Sequence, residues 1–323
     1  MTGRPLIPNF NQFNIGIFWI ERYVKNDWEF EAGVRYDYRT LNTHRIVSRK
    51  KVSNDFNFSN GSGTIGATRN FSPNLSARLN AGTAWRAPNV SELFSDGVHH
   101  GAAAFERGDS TLQAEKAMNT IASVKYASEK LTIEIGGYYN YIKDFIYLKP
   151  QQDPILTVRG AFPYFKYTQT DASFTGVDIS GSWQFVKNLT LTSKLSYLRA
   201  YDKRNDSYLV MIPANRLDNQ IRYELPEVGK WHNLYLSAGN LWVAHQKRVP
   251  SNSDFLPPPA AYSLWNIQAG GTIHVSEKQQ LEVGISVTNL FNTVYRDYMN
   301  RFRYYSDDIG RNASLRIKWK FGA

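Results

Sequence analysis

Apolar and polar residues alternate along most of this chain with a period of two. Leu281, Val283, Ile285 and Val287 fall on one face, against Glu282, Gly284, Ser286 and Thr288. Leu315, Ile317, Trp319 and Phe321 oppose Ser314, Arg316, Lys318 and Lys320 in the same way. So do Trp28, Phe30, Ala32, Val34 and Tyr36 against Glu29, Glu31, Gly33, Arg35 and Asp37. Successive side chains of a strand point to opposite faces, so this rhythm predicts half-buried β-strands. The same reading places further strands at about 12–23, 60–71, 74–85, 115–128, 130–148, 167–185, 188–201, 214–224, 231–244 and 261–274. No segment carries helical periodicity. The chain reads as all-β.

The connections alternate in length. Short turns are predicted around Asn26, Pro73, Glu129, Lys187, Gly229 and Ser276 to Gln280, and long loops at about 41–59, 86–114, 149–166, 202–213, 245–260 and 292–310. Outer-membrane barrels show this pattern, with short periplasmic turns and longer extracellular loops. Trp19, Tyr23, Trp28, Tyr36, Trp85, Trp183 and Tyr201 cluster near strand ends, as interfacial aromatic girdles do. A large soluble sandwich or propeller would alternate as well, but it would not sort its loops into two classes. The expectation is a transmembrane antiparallel β-barrel with about 13 strands in this chain, whereas complete bacterial single-chain barrels have even numbers. The first residues lack a signal peptide's basic and apolar regions. Both features suggest that residues 1–323 form one domain, the C-terminal part of a larger barrel.

Composition fits that reading. The mean hydropathy is polar at −0.45, and no run approaches the roughly 18 apolar residues of a membrane helix. In a barrel only alternate residues meet lipid, so a low mean is expected. The chain has no cysteine and a formal net charge of +10. In a soluble protein that charge would suggest nucleic acid. Here Arg35, Arg78, Lys194, Arg222, Arg316, Lys318 and Lys320 fall on expected lumen positions, interleaved with Glu29, Glu31, Asp37, Glu134, Asp178, Asp218 and Glu282. Such a mixture suits a polar barrel wall, and no nucleic-acid partner is expected.

Two regions carry a family resemblance. The first is Gly82-Thr-Ala-Trp85-Arg86-Ala87-Pro88-Asn89-Val-Ser-Glu92-Leu-Phe94, followed by Gly108-Asp-Ser-Thr-Leu112-Gln-Ala-Glu115. The second is Val287-Thr-Asn289-Leu290-Phe291-Asn-Thr-Val-Tyr295, then Gly310 to Phe321. Together they resemble the signature boxes and closing hairpin of TonB-dependent outer-membrane receptors. The resemblance implies about the last 13 strands of a 22-stranded barrel, with the N-terminal plug absent from this chain. It also implies a Gram-negative outer membrane as location, with lipid and lipopolysaccharide as surroundings. The implied partners are the barrel assembly machinery and, through the plug, the TonB-ExbB-ExbD energy-coupling complex. Gly322 and Ala323 follow the terminal aromatic Phe321, and Gly-Asp-Ser-Thr-Leu is a relaxed form of the second box.

The loop between the two boxes holds His99 and His100. Imidazole is the commonest protein ligand for transition metals and haem iron. Haem receptors of this family similarly carry a histidine there, so both are candidate metal ligands; a packed or solvated pair is the other reading. Glu92, Asp96 and Glu106 lie on the same loop and are candidates to complete a site. Arg86 is read as a contact for an anionic ligand or as an ion pair holding the loop. The basic run Arg45, Arg49, Lys50 and Lys51 is read as solvated or as a contact for anions. Tyr164, with Phe162 and Phe165, could stack on a flat ligand. No catalytic constellation is visible, so no enzyme is expected. The expected function is energy-coupled uptake of haem, a ferric siderophore, zinc or copper, with no covalently bound cofactor. A passive pore, a surface binding protein and a truncated product without independent activity are the alternatives.

Overall fold

The computed structural model describes residues 5–47, 50–276 and 279–322. Met1–Arg4, Arg49 of the basic run, Glu277 and Lys278 of one predicted turn, and Ala323 lie outside them. In chain order the elements are β1 (Asn9–Lys25), β2 (Trp28–Val47), β3 (Lys50–Ser72), β4 (Leu75–Arg86), α1 (Val90–Phe94), β5 (Asp96–His99), β6 (Ala104–Arg107), β7 (Glu115–Ala127) and β8 (Leu131–Pro150). Then come β9 (Ile155–Thr157), β10 (Gly160–Phe162), β11 (Tyr164–Val186), β12 (Leu189–Asp202), β13 (Ser207–Tyr208), β14 (Arg216–Glu224) and β15 (Trp231–Val243). The chain closes with β16 (Tyr262–Ser276), β17 (Gln279–Thr288) and β18 (Asn312–Phe321).

Thirteen of these strands form one meander, β1-β2-β3-β4-β7-β8-β11-β12-β14-β15-β16-β17-β18. Every neighbouring pair along it is antiparallel, as short turns between consecutive strands require. The tight turns are locally encoded: Asn26 and Asn188 adopt positive φ, a conformation asparagine tolerates well.

Two faces of opposite chemistry result. Ile17, Trp19, Val34, Ile65, Leu79, Met118, Leu315 and Ile317 project outward, all exposed. A continuous apolar surface of that kind suits hydrocarbon, not water. On the other face Arg78, Glu134, Asp178, Lys194 and Asp218 line a cavity of about 1040 Å³. Five of the expected lumen residues therefore share one wall. Glu282 pairs there with Lys318 and Lys320.

The strands run further than the periodicity predicts. Of residues 41–59, expected as a loop, 41–47 and 50–59 are the paired ends of β2 and β3, with Thr43↔Asn54 in register. Outside the bilayer no lipid face enforces alternation, so the pattern fades while backbone pairing continues. Asn42 donates to Asp55 at 2.6 Å there. The three apolar clusters of buried residues all sit at the end with the long connections. The packed core lies at that end, between the loops and the strand ends beneath them.

Candidate functional site

The site grows from the end of β4. Pro88 lacks the N–H a ladder needs, and β4 stops at Arg86, just before the buried Ala87 and Pro88. Asn89 then caps α1, and Glu92 accepts from the Asn89 backbone N–H at 2.7 Å. Val90 and Leu93 of this short helix bury against Leu41, Leu112 and Ile146. Gly108 comes so close to the helix that an added Cβ would lie 2.5 Å from the backbone of Leu93 and Phe94.

Arg86 fastens this corner. Its Nη1 donates to both oxygens of Glu92 at 2.9 and 2.8 Å. Its Nε and Nη2 donate to Glu115 at 2.9 and 2.8 Å. Glu115 also accepts from the Ile146 N–H at 2.6 Å. Arg86 is thus committed to two carboxylates, the loop-fixing arrangement. Trp85 donates to Asp37 at 3.3 Å. In the second box Asp109 accepts from the Thr111 hydroxyl at 2.6 Å and its N–H at 3.0 Å. The Thr111 hydroxyl holds the Asp109 carboxyl below the usual carboxylate range against the opposing effect of burial, helped by the Thr111 N–H and Lys166.

Between the boxes, β5 and β6 form a small hairpin, and β6 pairs in parallel with the start of β11. That pairing sets Tyr164 opposite Phe105 and Phe165 opposite Glu106. Arg107 lies over the rings of Phe105 and Tyr164 at 5.6 and 5.3 Å. The buried Glu106 carboxylate is the centre. One oxygen faces His99 Nδ1 at 2.9 Å and accepts from Arg301 at 2.8 Å. The other accepts from the Tyr167 hydroxyl at 3.4 Å. His99 itself is half exposed. His100 turns elsewhere: its Nε2 lies 3.0 Å from Arg159 Nη1. Guanidinium can only donate, so that nitrogen is an acceptor and the neutral ring carries its proton on Nδ1.

The structure thus brings His99 and Glu106 together with Tyr164 near by on the adjoining strand, while His100 and Arg86 belong to other contacts. Among the described residues, no group of three or more His, Cys, Asp or Glu side chains is placed to hold a metal ion. The last loop supplies what sequence reading missed. Arg301 comes from 195 positions along the chain, and Tyr305 donates to the Ala103 carbonyl at 2.6 Å. Asn289 shapes this loop's entry at φ 48°. Its side chain accepts from the Thr293 N–H at 2.8 Å and donates to the Thr293 carbonyl at 2.9 Å. Leu290 N donates to the Trp265 carbonyl at 2.7 Å, and Phe291 meets the Trp265 ring edge-on. Phe321 stacks on Trp319. A single sequence holds no signal for the Arg301–Glu106 contact beyond the run of Arg and aromatic residues at 301–305.

A meander with an apolar outer face, a polar inner face and an ordered cap of loops defines a transmembrane β-barrel wall. The chain belongs to the TonB-dependent receptor-like β-barrel family, whose model matches residues 3–290. Heme/hemopexin utilization protein C of Haemophilus influenzae is 26% identical over 263 residues, covering 74% of this chain and 35% of its own length. The structure resembles the copper transporter OprC with a TM-score of 0.75 at 19% identity, over 97% of this chain and 48% of that one. It also resembles the FrpB iron transporter of Neisseria meningitidis, with a TM-score of 0.66 at 17% identity over 96% and 46% of the two chains. At those identities the likeness is one of fold. The chain spans about a third of the curated relative and about half of these transporters.

Proposed function

We propose that this chain is the loop-bearing part of an outer-membrane receptor that takes up haem by TonB-dependent transport, with His99 as ligand to the haem iron. The observation that carries this reading is the pairing of half-exposed His99 with buried Glu106. A carboxylate on one ring nitrogen fixes the tautomer, orients the ring and raises the basicity of the other nitrogen. Nδ1 is engaged, so Nε2 is the coordinating atom. Arg301 and Tyr167 hold the carboxylate in turn, and Arg301 lies 5.1 Å over the Phe165 ring. Cationic and aromatic groups beside an imidazole suit an anionic, flat macrocycle. The relatedness to a haem utilization protein agrees with that choice. Energy coupling would run through a plug and the TonB-ExbB-ExbD complex.

The test is growth of an iron-starved host carrying the intact receptor, with haem as its iron source. His99→Ala should abolish growth at limiting haem and remove the Soret shift of bound haem, at unchanged surface expression. His100→Ala should have a smaller effect. Wild-type haem binding by the His99 variant would reject the assignment.

A further inference from the structure

Six histidines occur in the chain, and all but His99-His100 are scattered in sequence. The fold brings two of the scattered ones together at the opposite end, among the short turns. His232 opens β15 in register with Thr272 of β16, and His274 lies two residues further on the same face. Their ring centres are 4.4 Å apart with planes inclined at 34°. The face is the polar one, since Thr272 is also in register with Glu282.

We propose that His232 and His274 form a two-imidazole site for a transition-metal dication of square-planar or octahedral preference, copper(II) or nickel(II). The donor type carries the choice of ion, because nitrogen sites hold copper(II), and after it nickel(II), more tightly than the earlier first-row dications. With metal–nitrogen bonds of about 2.0–2.1 Å, each ring centre lies roughly 3.2 Å from the ion, so two rings at a right angle have centres about 4.5 Å apart, and at a tetrahedral angle about 5.2 Å. Ring centres 4.4 Å apart put both imidazoles within reach of a single ion. Water fills the positions that the two imidazoles leave.

A second feature prepares the pair for metal. Glu227 Oε1 lies 2.8 Å from His232 Nδ1, leaving Nε2 as the coordinating nitrogen. The Glu227 side chain is 69% exposed, and the turn that follows it is closed by reciprocal backbone hydrogen bonds between Val228 and Trp231, at 3.1 and 3.0 Å. Lys320, in register with Gln280 opposite His274, is the neighbouring cation, and its ammonium is engaged by Glu282. The placement is at the periplasmic end of the wall, remote from His99.

The experiment uses the protein in detergent micelles with His99 and His100 both changed to Ala, titrated with copper(II) and read by electron paramagnetic resonance and calorimetry. The expected result is one bound ion with two-nitrogen hyperfine coupling. His232→Ala with His274→Ala should remove it. Glu227→Gln, which leaves both rings in place, should weaken binding about 10- to 100-fold. Zinc should bind more weakly than copper. Copper binding with unchanged affinity and spectrum in the His232/His274 variant would overturn the proposal, as would a wild-type spectrum without two-nitrogen coupling. Neither outcome bears on haem at His99.

Discussion

At Glu106 a single carboxylate oxygen serves both a histidine and an arginine, within a buried pocket. Removing either the acid or the guanidinium leaves the other charge uncompensated, and that asymmetry dominates the expected effects. Arg86 follows the same logic with two acids. Its four contacts pin α1 to β4 and β7, and partial exposure of the guanidinium reduces their strength. Arg86→Ala should loosen the 86–114 segment by about 1–3 kcal/mol. Limited proteolysis would then cut within that segment while the heat-modifiable migration of the barrel stays unchanged. Asp109 adds a pH dependence with a defined sign. Its folded carboxyl is held below the ordinary value, so its contribution is complete above that value, near pH 4, and fades as pH falls through the depressed one. The protection factor of the Thr111 amide should fall on acidification, and Asp109→Asn should remove that dependence.

At the scale of elements, the strands within the bilayer were legible because lipid imposes alternation on them. Leu281 to Val287 and Leu315 to Phe321 read correctly from sequence alone, and so did the short turns at Asn26 and Asn188. The extensions of β2 and β3 were not legible, because no apolar solvent marks one of their faces. Arg86, Glu92 and Glu115 could be named as a group from the family boxes, yet their mutual geometry could not. The Glu106–Arg301 contact was out of reach, since 195 positions separate its partners. Asn289 joins both kinds of information: its box is visible in sequence, and its left-handed backbone appears only in the fold. Asn289→Ala should cost about 1–2 kcal/mol in the last loop, from backbone strain and the lost hydrogen bonds to Thr293. Asn289→Gly should recover the backbone part. Protease sensitivity of residues 289–311 would rank the two.

Across the whole molecule, a buried ion pair ties two distant loops. Arg303 and Asp254 are in contact and almost wholly enclosed, with the Tyr304 hydroxyl donating to Asp254 at 2.7 Å. Burial, then the hydrogen bond and the charge of Asp254, push the Tyr304 hydroxyl far above its ordinary value, so it stays protonated as a donor. Phe165, Phe255 and Tyr304 pack around this pair, joining the end loops to β11. Arg303→Ala should free both loops at once, since it strands a buried carboxylate. The double change Arg303→Met with Asp254→Leu should restore most of the packing. Hydrogen exchange across 245–260 and 292–310 separates these outcomes.

The location of the packed core has one further consequence. The wall is shaped by lipid outside and by polar groups inside, whereas the cap is held by contacts among loop side chains and the strand ends beneath them. Two solvents therefore select two nearly disjoint sets of residues. Substitutions can accumulate in the cap while the wall keeps its span, and a change of membrane thickness can be absorbed in the wall without disturbing the cap. Such a protein can vary its loop cap and its membrane-facing wall as independent traits.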